Sequence, residues 1–226
     1  EFRRVLFRSP CPLVRPENLP PMRLVHLVNA AFLALLLGGC TVPSRPAAQA
    51  VHDLGVLEAV ATPAGTALLR SVDVQPAPWL AGTAMGYRLL QIQPTRRQAY
   101  AESRWAAPPA QLVELALRRT LGAGQGSCRL RIELDEFAQV FETDMLSRGV
   151  IEARASLLTQ RGEQVLASQA FSISLPAPTP DAAGGVAALQ AASRALGREL
   201  TGWLSGLSQQ EASQGVPHKS GALCAA

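Results

Sequence analysis

RLRIELDEFAQVF, residues 129–141, decides how this chain folds. Leu130, Ile132 and Leu134 fall on one side, and Arg129, Arg131, Glu133 and Asp135 on the other. This two-residue period is that of a half-buried β-strand. The phase then slips, because Phe137 and Phe141 no longer match Leu130. One extra residue near Asp135-Glu136, a β-bulge, accounts for the slip. Downstream, Ile151, Ala153, Ala155 and Leu157 line a second strand, and Gln160-Arg161-Gly162-Glu163 reads as a turn. Val165, Ala167, Phe171, Ile173 and Leu175 then return antiparallel.

A loop over 176–185 leads into a helix to about Leu207. Val186, Leu189, Ser193, Leu196, Leu200, Trp203 and Leu207 recur at alternating spacings of three and four, a heptad-like seam. The preferred reading is a core-facing helix against the sheet; the alternative is a self-association face that would make a homo-oligomer. Residues 208–226 are small and polar and read as a disordered tail.

Upstream, Pro108-Pro109 opens a helix, where the missing N–H of proline costs nothing. Leu112, Val113, Ala116, Leu117, Thr120 and Leu121 form its buried face. Arg118 and Arg119 sit in the last turn, where the helix dipole favours cations, and Gly122 stops it. Residues 85–93 and 97–105 read as a strand pair around Pro94-Thr95-Arg96, residues 68–75 as a strand ended by Pro76 and Pro78, and residues 53–60 as the first strand.

The amino-terminal part is an address. Met22-Arg23 precedes 14 mostly apolar residues, 24–37, which suit a signal-peptide core and are too short to span a membrane. Leu37-Gly38-Gly39-Cys40 reads as a lipobox, with Cys40 the lipidation site. Thr41 follows it; an Asp there would signal inner-membrane retention, so the expected location is the outer membrane. Residues 1–21 are Arg- and Pro-rich and are expected to be upstream-translated or non-native sequence. The expected organisation is 22–39 signal peptide, 40–51 lipidated tether, 52–207 a single domain, and 208–226 tail. Residues 41–51 extend to at most about 36–40 Å.

Composition excludes several functions. Residues 40–226 carry 16 Arg or Lys and 15 Asp or Glu, so no basic field for nucleic acid remains. The histidines are His26, His52 and His218, none placed for a Ser–His or Cys–His pair or a His-rich zinc site. The only lysine is Lys219, preceded by His218, so no nucleotide-binding P-loop is present. Glu133, Asp135 and Glu136 form the best carboxylate cluster, yet they share a face with Arg129 and Arg131 and read as a solvated or salt-bridged strand face rather than a hydrolase site. Of the cysteines outside the first 40 residues, Cys128 and Cys224 could pair in an oxidising compartment. The preferred reading leaves them apart, Cys128 buried at a strand start and Cys224 in the loose tail.

Met85-Gly86-Tyr87-Arg88, then Tyr100, then Ser103-Arg104-Trp105-Ala106-Ala107-Pro108-Pro109 make a specific pattern. With His52-Asp53-Leu54-Gly55, Leu134 to Phe141 and Gly202-Trp203-Leu204, it resembles the ABC-type transport auxiliary lipoprotein family, which includes paraquat-inducible protein C, across most of residues 52–207. The resemblance implies a three-layer α/β/α sandwich with a mixed, largely antiparallel sheet. It implies a non-enzymatic subunit with no catalytic set, no metal and no cofactor beyond acyl chains on Cys40. Its implied partners are an MCE-domain periplasmic lipid-binding protein with its ABC permease and ATPase, and outer-membrane lipid. The implied role is phospholipid movement between the two membranes and envelope integrity. Tyr87, Arg88, Trp105, Pro108 and Pro109 carry the family signature and read as structural. A stand-alone envelope-stabilising lipoprotein is the alternative.

Overall fold

The computed structural model describes residues 48–56, 68–122, 126–213 and Cys224, with side chains described to Gln210 in the last helix. Cys40 and the signal and lipobox readings lie outside the described residues, as does the expected strand beyond residue 56. The elements are β1 (Ala50–His52), β2 (Leu69–Pro76), a 3-10 turn (Pro78–Leu80), β3 (Ala84–Leu89), β4 (Gln93–Trp105), α1 (Pro109–Leu121), β5 (Cys128–Phe141), β6 (Ser147–Leu158), β7 (Val165–Pro176) and α2 (Ala182–Ser213).

All seven strands join one open sheet in the order β1-β4-β3-β5-β6-β7, with β2 also beside β5. The long pairs β5–β6, β6–β7 and β3–β4 are antiparallel, while β1–β4, β2–β5 and β3–β5 are parallel. One edge of β5 therefore serves two neighbours. Cys128 to Leu134 pair with β2, and Gln139 to Phe141 with β3. The change falls at the expected bulge: Leu134 pairs with Ala153 and Glu136 with Glu152, leaving Asp135 as the extra residue. Leu134 and Phe137 thus both point into the core.

The mixed α/β class and single domain stand as expected. The layering implied by the family differs from what the described residues show. α1 and α2 pack on each other, Thr120 and Leu117 lying over Gly197, and both cover the sheet face that carries Val72, Leu130, Leu157 and Phe171. The other face of β5–β6–β7, with Arg129, Glu133, Asp135, Glu152, Arg154 and Ser172, is exposed. Among the described residues there is one helical layer on one sheet.

Local chemistry explains the elements. Pro109 is the first residue of α1, and the Pro108 carbonyl accepts from the Gln111 N–H at 2.9 Å. Gly122 adopts the left-handed conformation that ends the helix (φ 58°). Glu114 of α1 accepts the Val74 N–H at 3.1 Å, capping a backbone donor of β2 that the sheet leaves unpaired. The seam of α2 faces the sheet: Leu189, Ser193, Leu196 and Leu200 are buried, and Trp203 packs edge-on to Phe171 at 6.0 Å. That favours the core reading over a self-association face.

Several details differ from the expectation. The first described strand is Ala50–His52, taking the end of the expected tether, and residues 53–56 of the expected strand lie outside it. It stops because the Asp53 carboxylate accepts the Gly55 N–H at 2.8 Å, with Gly55 left-handed (φ 64°). The β3–β4 turn is residues 90–92, and Pro94 lies inside β4, where pairing shifts between Tyr87–Gln98 and Leu89–Gln93 and leaves four residues, Pro94 to Arg97, opposite Arg88 alone. Val165 begins β7 exposed, since the ladder shifts beside Leu158. α2 continues to Ser213, past the expected end at Leu207. Cys128 and Cys224 are disulfide-bonded with their Cα atoms 5.0 Å apart, against the preferred reading. Cys128 does start a buried strand, but Cys224 is buried with it, and its carbonyl accepts the Gln160 N–H at 2.9 Å.

α2 can lie this close because β6 offers no side chain under it. A Cβ on Gly149 would stand 2.8 Å from the Ala188 backbone and Cβ. Gly149→Ala should therefore lower the unfolding free energy by about 1–3 kcal/mol through overpacking. Urea denaturation followed by circular dichroism reads this; an unchanged midpoint would mean that α2 is not seated on β6.

Candidate functional site

Tyr87 and Arg88 are adjacent in β3 and so project to opposite faces of the sheet. Each anchors a different cluster.

On the open face, Glu136 is the hub. Its side chain is only 10% exposed and meets two guanidinium groups. Arg88 donates from Nε and Nη2 to Oε2 at 3.1 and 3.0 Å, and Arg97 donates to Oε1 at 2.6 Å and Oε2 at 2.9 Å. Arg88 also reaches the Pro94 carbonyl at 3.2 Å. The Arg97 guanidinium stacks over the Trp79 ring at 4.8 Å, and the Trp79 indole N–H donates to the Asp135 carbonyl at 3.0 Å. Trp79, Arg88 and Arg97 line a shallow cleft of about 240 Å³ with Leu80, Gly86 and Ala138. Two arginines against one carboxylate leave one unit of positive charge in its wall.

The carboxylates grouped in the sequence do not act together. Glu133 and Asp135 are exposed, and both oxygens of Glu136 are taken by arginine. With both oxygens engaged, Glu136 ties β5 to the β3 and β4 strands that carry Arg88 and Arg97. Among the described residues, no group of three His, Cys, Asp or Glu side chains is placed to hold a metal ion.

On the helix-covered face, Tyr87 stacks at 4.8 Å on Tyr100 and meets Phe141 edge-on at 6.0 Å. The Tyr100 hydroxyl donates to Gln139 Oε1 at 2.8 Å, and buried Gln139 donates in turn to Ser147 Oγ at 2.8 Å. Burial, with smaller contributions from Tyr87 and Asp181, pushes the Tyr100 phenol up to about 12. Asp181 is held below the usual carboxylate range by the Gly184 N–H and the Thr179 hydroxyl, which donate to it at the start of α2. The signs are opposite. The stabilisation from Asp181 is present at neutral pH and lost as pH falls through its depressed folded value, whereas that from neutral Tyr100 is lost as pH climbs above 10.

Trp105, Pro108 and Pro109 belong to neither cluster. Trp105 is fully buried at the end of β4, edge-on to Phe137 at 5.4 Å, and the two prolines make the strand-to-helix corner. Trp79 and Arg97 were not singled out in the sequence. Nothing local marks them, because their contact joins a 3-10 turn to a strand across the bulge.

The fold places this domain among open-sheet α/β proteins with two helices. Its architecture is similar to that of protein XCC0632 from Xanthomonas campestris, described with the family model DUF330. That comparison gives 22% identity, a TM-score of 0.61, and coverage of 72% of this chain and 99% of that one. A second solved structure, described only as an uncharacterized protein, matches at 16% identity with a TM-score of 0.55, over 70% of this chain and 99% of that one. No curated protein matches the chain. The family model of the ABC-type transport auxiliary lipoprotein component matches residues 58–201, and the chain belongs to that family. Membership points to an accessory role beside an ABC transport system. No helix among the described residues is long and apolar enough to cross a membrane.

Two outcomes test the clusters. Glu136→Gln should destabilise the domain by about 2 kcal/mol, because two half-buried guanidinium groups lose their counter-charge; a chemical denaturation midpoint equal to the parent's would make the hub a surface ornament. The chain has two tyrosines, so Tyr87→Phe isolates Tyr100. At pH 11, with native circular dichroism, its phenol should remain mostly protonated by ultraviolet absorbance. A midpoint at 10 would contradict the buried setting.

Proposed function

We propose that this chain is the lipid-anchored, non-catalytic auxiliary subunit of an MCE-type ABC transport system, supporting phospholipid movement between the membranes of a Gram-negative envelope. The observation that carries the reading is the family match over 58–201, which runs from before β2 into α2 and so takes in six of the seven described strands, all of α1 and the first part of α2. The lipobox at Leu37-Gly38-Gly39-Cys40 supplies the anchor, and Thr41 in place of Asp favours the outer membrane. Several acyl chains at one amino terminus give stable anchoring, since each buried methylene contributes about 0.8 kcal/mol. The open sheet face is consistent with a docking role. It offers backbone-anchored Trp79 beside an excess arginine charge, in a cleft with no proton-transfer pair.

Affinity purification from mildly cross-linked, detergent-solubilised envelope tests the partnership. An MCE-domain protein and the ABC permease or ATPase should be captured. Failure to recover any of them, while permease and ATPase remain associated in the same extract, would favour the stand-alone envelope role. Cys40→Ala should abolish lipid labelling and move the chain to the soluble fraction with its circular dichroism unchanged. Undiminished membrane association would contradict the anchor.

A further inference from the structure

Two hairpin tips stand side by side at one end of the sheet. The Leu90 N–H donates to the Phe141 carbonyl at 3.0 Å, tying the 90–92 turn to the start of the 142–146 turn. Together they expose four large apolar side chains: Leu90 at 43%, Ile92 at 67%, Met145 at 74% and Leu146 at 61%. The second turn is held in this form. The Glu142 N–H donates to the Leu146 carbonyl at 2.9 Å, and Thr143 Oγ1 accepts from the Met145 and Leu146 N–H groups at 3.3 and 3.0 Å. At the opposite end, the β6–β7 turn carries Arg161 and Glu163, and Val165, the first residue of β7, is the exposed large apolar side chain beside it.

β1 shows which end the anchor approaches. It runs parallel to β4 with Ala50 opposite Ser103, and Gln49 Nε2 donates to the Ala101 carbonyl at 2.8 Å. Followed backwards from Ala50, the described chain therefore heads along β4 towards Gln93 and the tips. Ala101 and Gln93 are eight residues apart in β4, at most about 27 Å along the strand and less where Pro94 to Arg97 bulge opposite Arg88. Eight residues also separate Ala48 from Cys40, a reach of at most about 26–29 Å. That reach is long enough to span the distance from Ala101 to the tips.

We propose that the β3–β4 and β5–β6 tips rest in the surface of the lipid leaflet that holds the acyl chains of Cys40. This rests on the lipoprotein reading of Cys40. The occupant is lipid rather than a polar partner because the exposed groups are aliphatic. The charges around them, Arg96, Glu142, Asp144 and Arg148, also balance, with Glu142 and Arg148 3.8 Å apart. Seating is therefore apolar and insensitive to salt.

The test uses the acylated full-length gene product, reconstituted in phosphatidylethanolamine–phosphatidylglycerol vesicles containing a dibrominated phosphatidylcholine. Ile92→Trp and Leu146→Trp place reporters on the tips, and Val165→Trp places one at the far end; the signal of the three native tryptophans is subtracted from the parent. Tip fluorescence should fall at least twofold relative to unbrominated vesicles and shift to the blue, while the Val165→Trp signal stays unchanged. An acylated chain that floats with vesicles but whose tips are unquenched, or quenched no more than the far end, overturns the tip placement alone. An intact mass without acyl chains, with no flotation, overturns the Cys40 reading and the placement with it. A lower sedimentation coefficient for the Ile92→Ser, Leu146→Ser double variant would assign the tips to a second copy of the chain instead, and would also overturn the proposal.

Discussion

The extra residue that β5 accommodates at Asp135 is the constraint on which the rest of the domain depends. A strand alternates faces strictly, and the segment Leu134-Asp135-Glu136-Phe137 has two polar residues between two core residues. Without a reset, Glu136 would face the helices, and Phe137, Gln139 and Phe141 would face water. With Asp135 left unpaired, Phe137 packs on Trp105, Gln139 reaches Tyr100 beneath α2, and Glu136 turns to Arg88 and Arg97. The same point marks the exchange of β2 for β3 along the β5 edge, and the Trp79 indole fastens the connecting turn to the bulge carbonyl.

This arrangement divides the domain into a covered face and a free one. The covered face is apolar and tightly seated, with Gly149 open beneath Ala188. The free face is polar, and its hub is the Glu136 carboxylate held between the Arg88 and Arg97 guanidinium groups. That division suits a protein that works by being held in place and touched, which is what an accessory subunit does. The short, parallel β1 adds direction: the chain leaves the described domain along β4 rather than at a loose end.

Much of this was legible in the sequence. The alternation of 129–135 and the slip after it fixed the central strand and its bulge, because a half-buried strand writes its faces directly into residue order. The Pro108-Pro109 corner and Gly122 bounded α1 for equally local reasons. What was missed depended on distant partners. Pro94 reads as a turn, but Arg88, six residues earlier, takes its carbonyl inside a second irregular stretch. Glu136 looks like its neighbours Glu133 and Asp135 until Arg97 is brought over it from β4. The placement of both helices on one side follows from packing between α1 and α2, to which the hydrophobic periodicity of each helix alone is blind. The Cys128–Cys224 bridge spans 96 residues, and spacing alone did not decide it.

Comparison of two single-residue deletions in β5 tests the role of the bulge most directly. Removing Asp135 leaves Leu134, Glu136 and Phe137 in their present faces and register, at the cost of the Trp79 contact. Removing Ala138 instead turns Gln139 and Phe141 out of the core. The account predicts that the chain lacking Asp135 melts within about 6 °C of the parent, and that the chain lacking Ala138 loses more than about 10 °C or fails to fold. Equal damage from the two deletions, or greater damage from loss of Asp135, would contradict it.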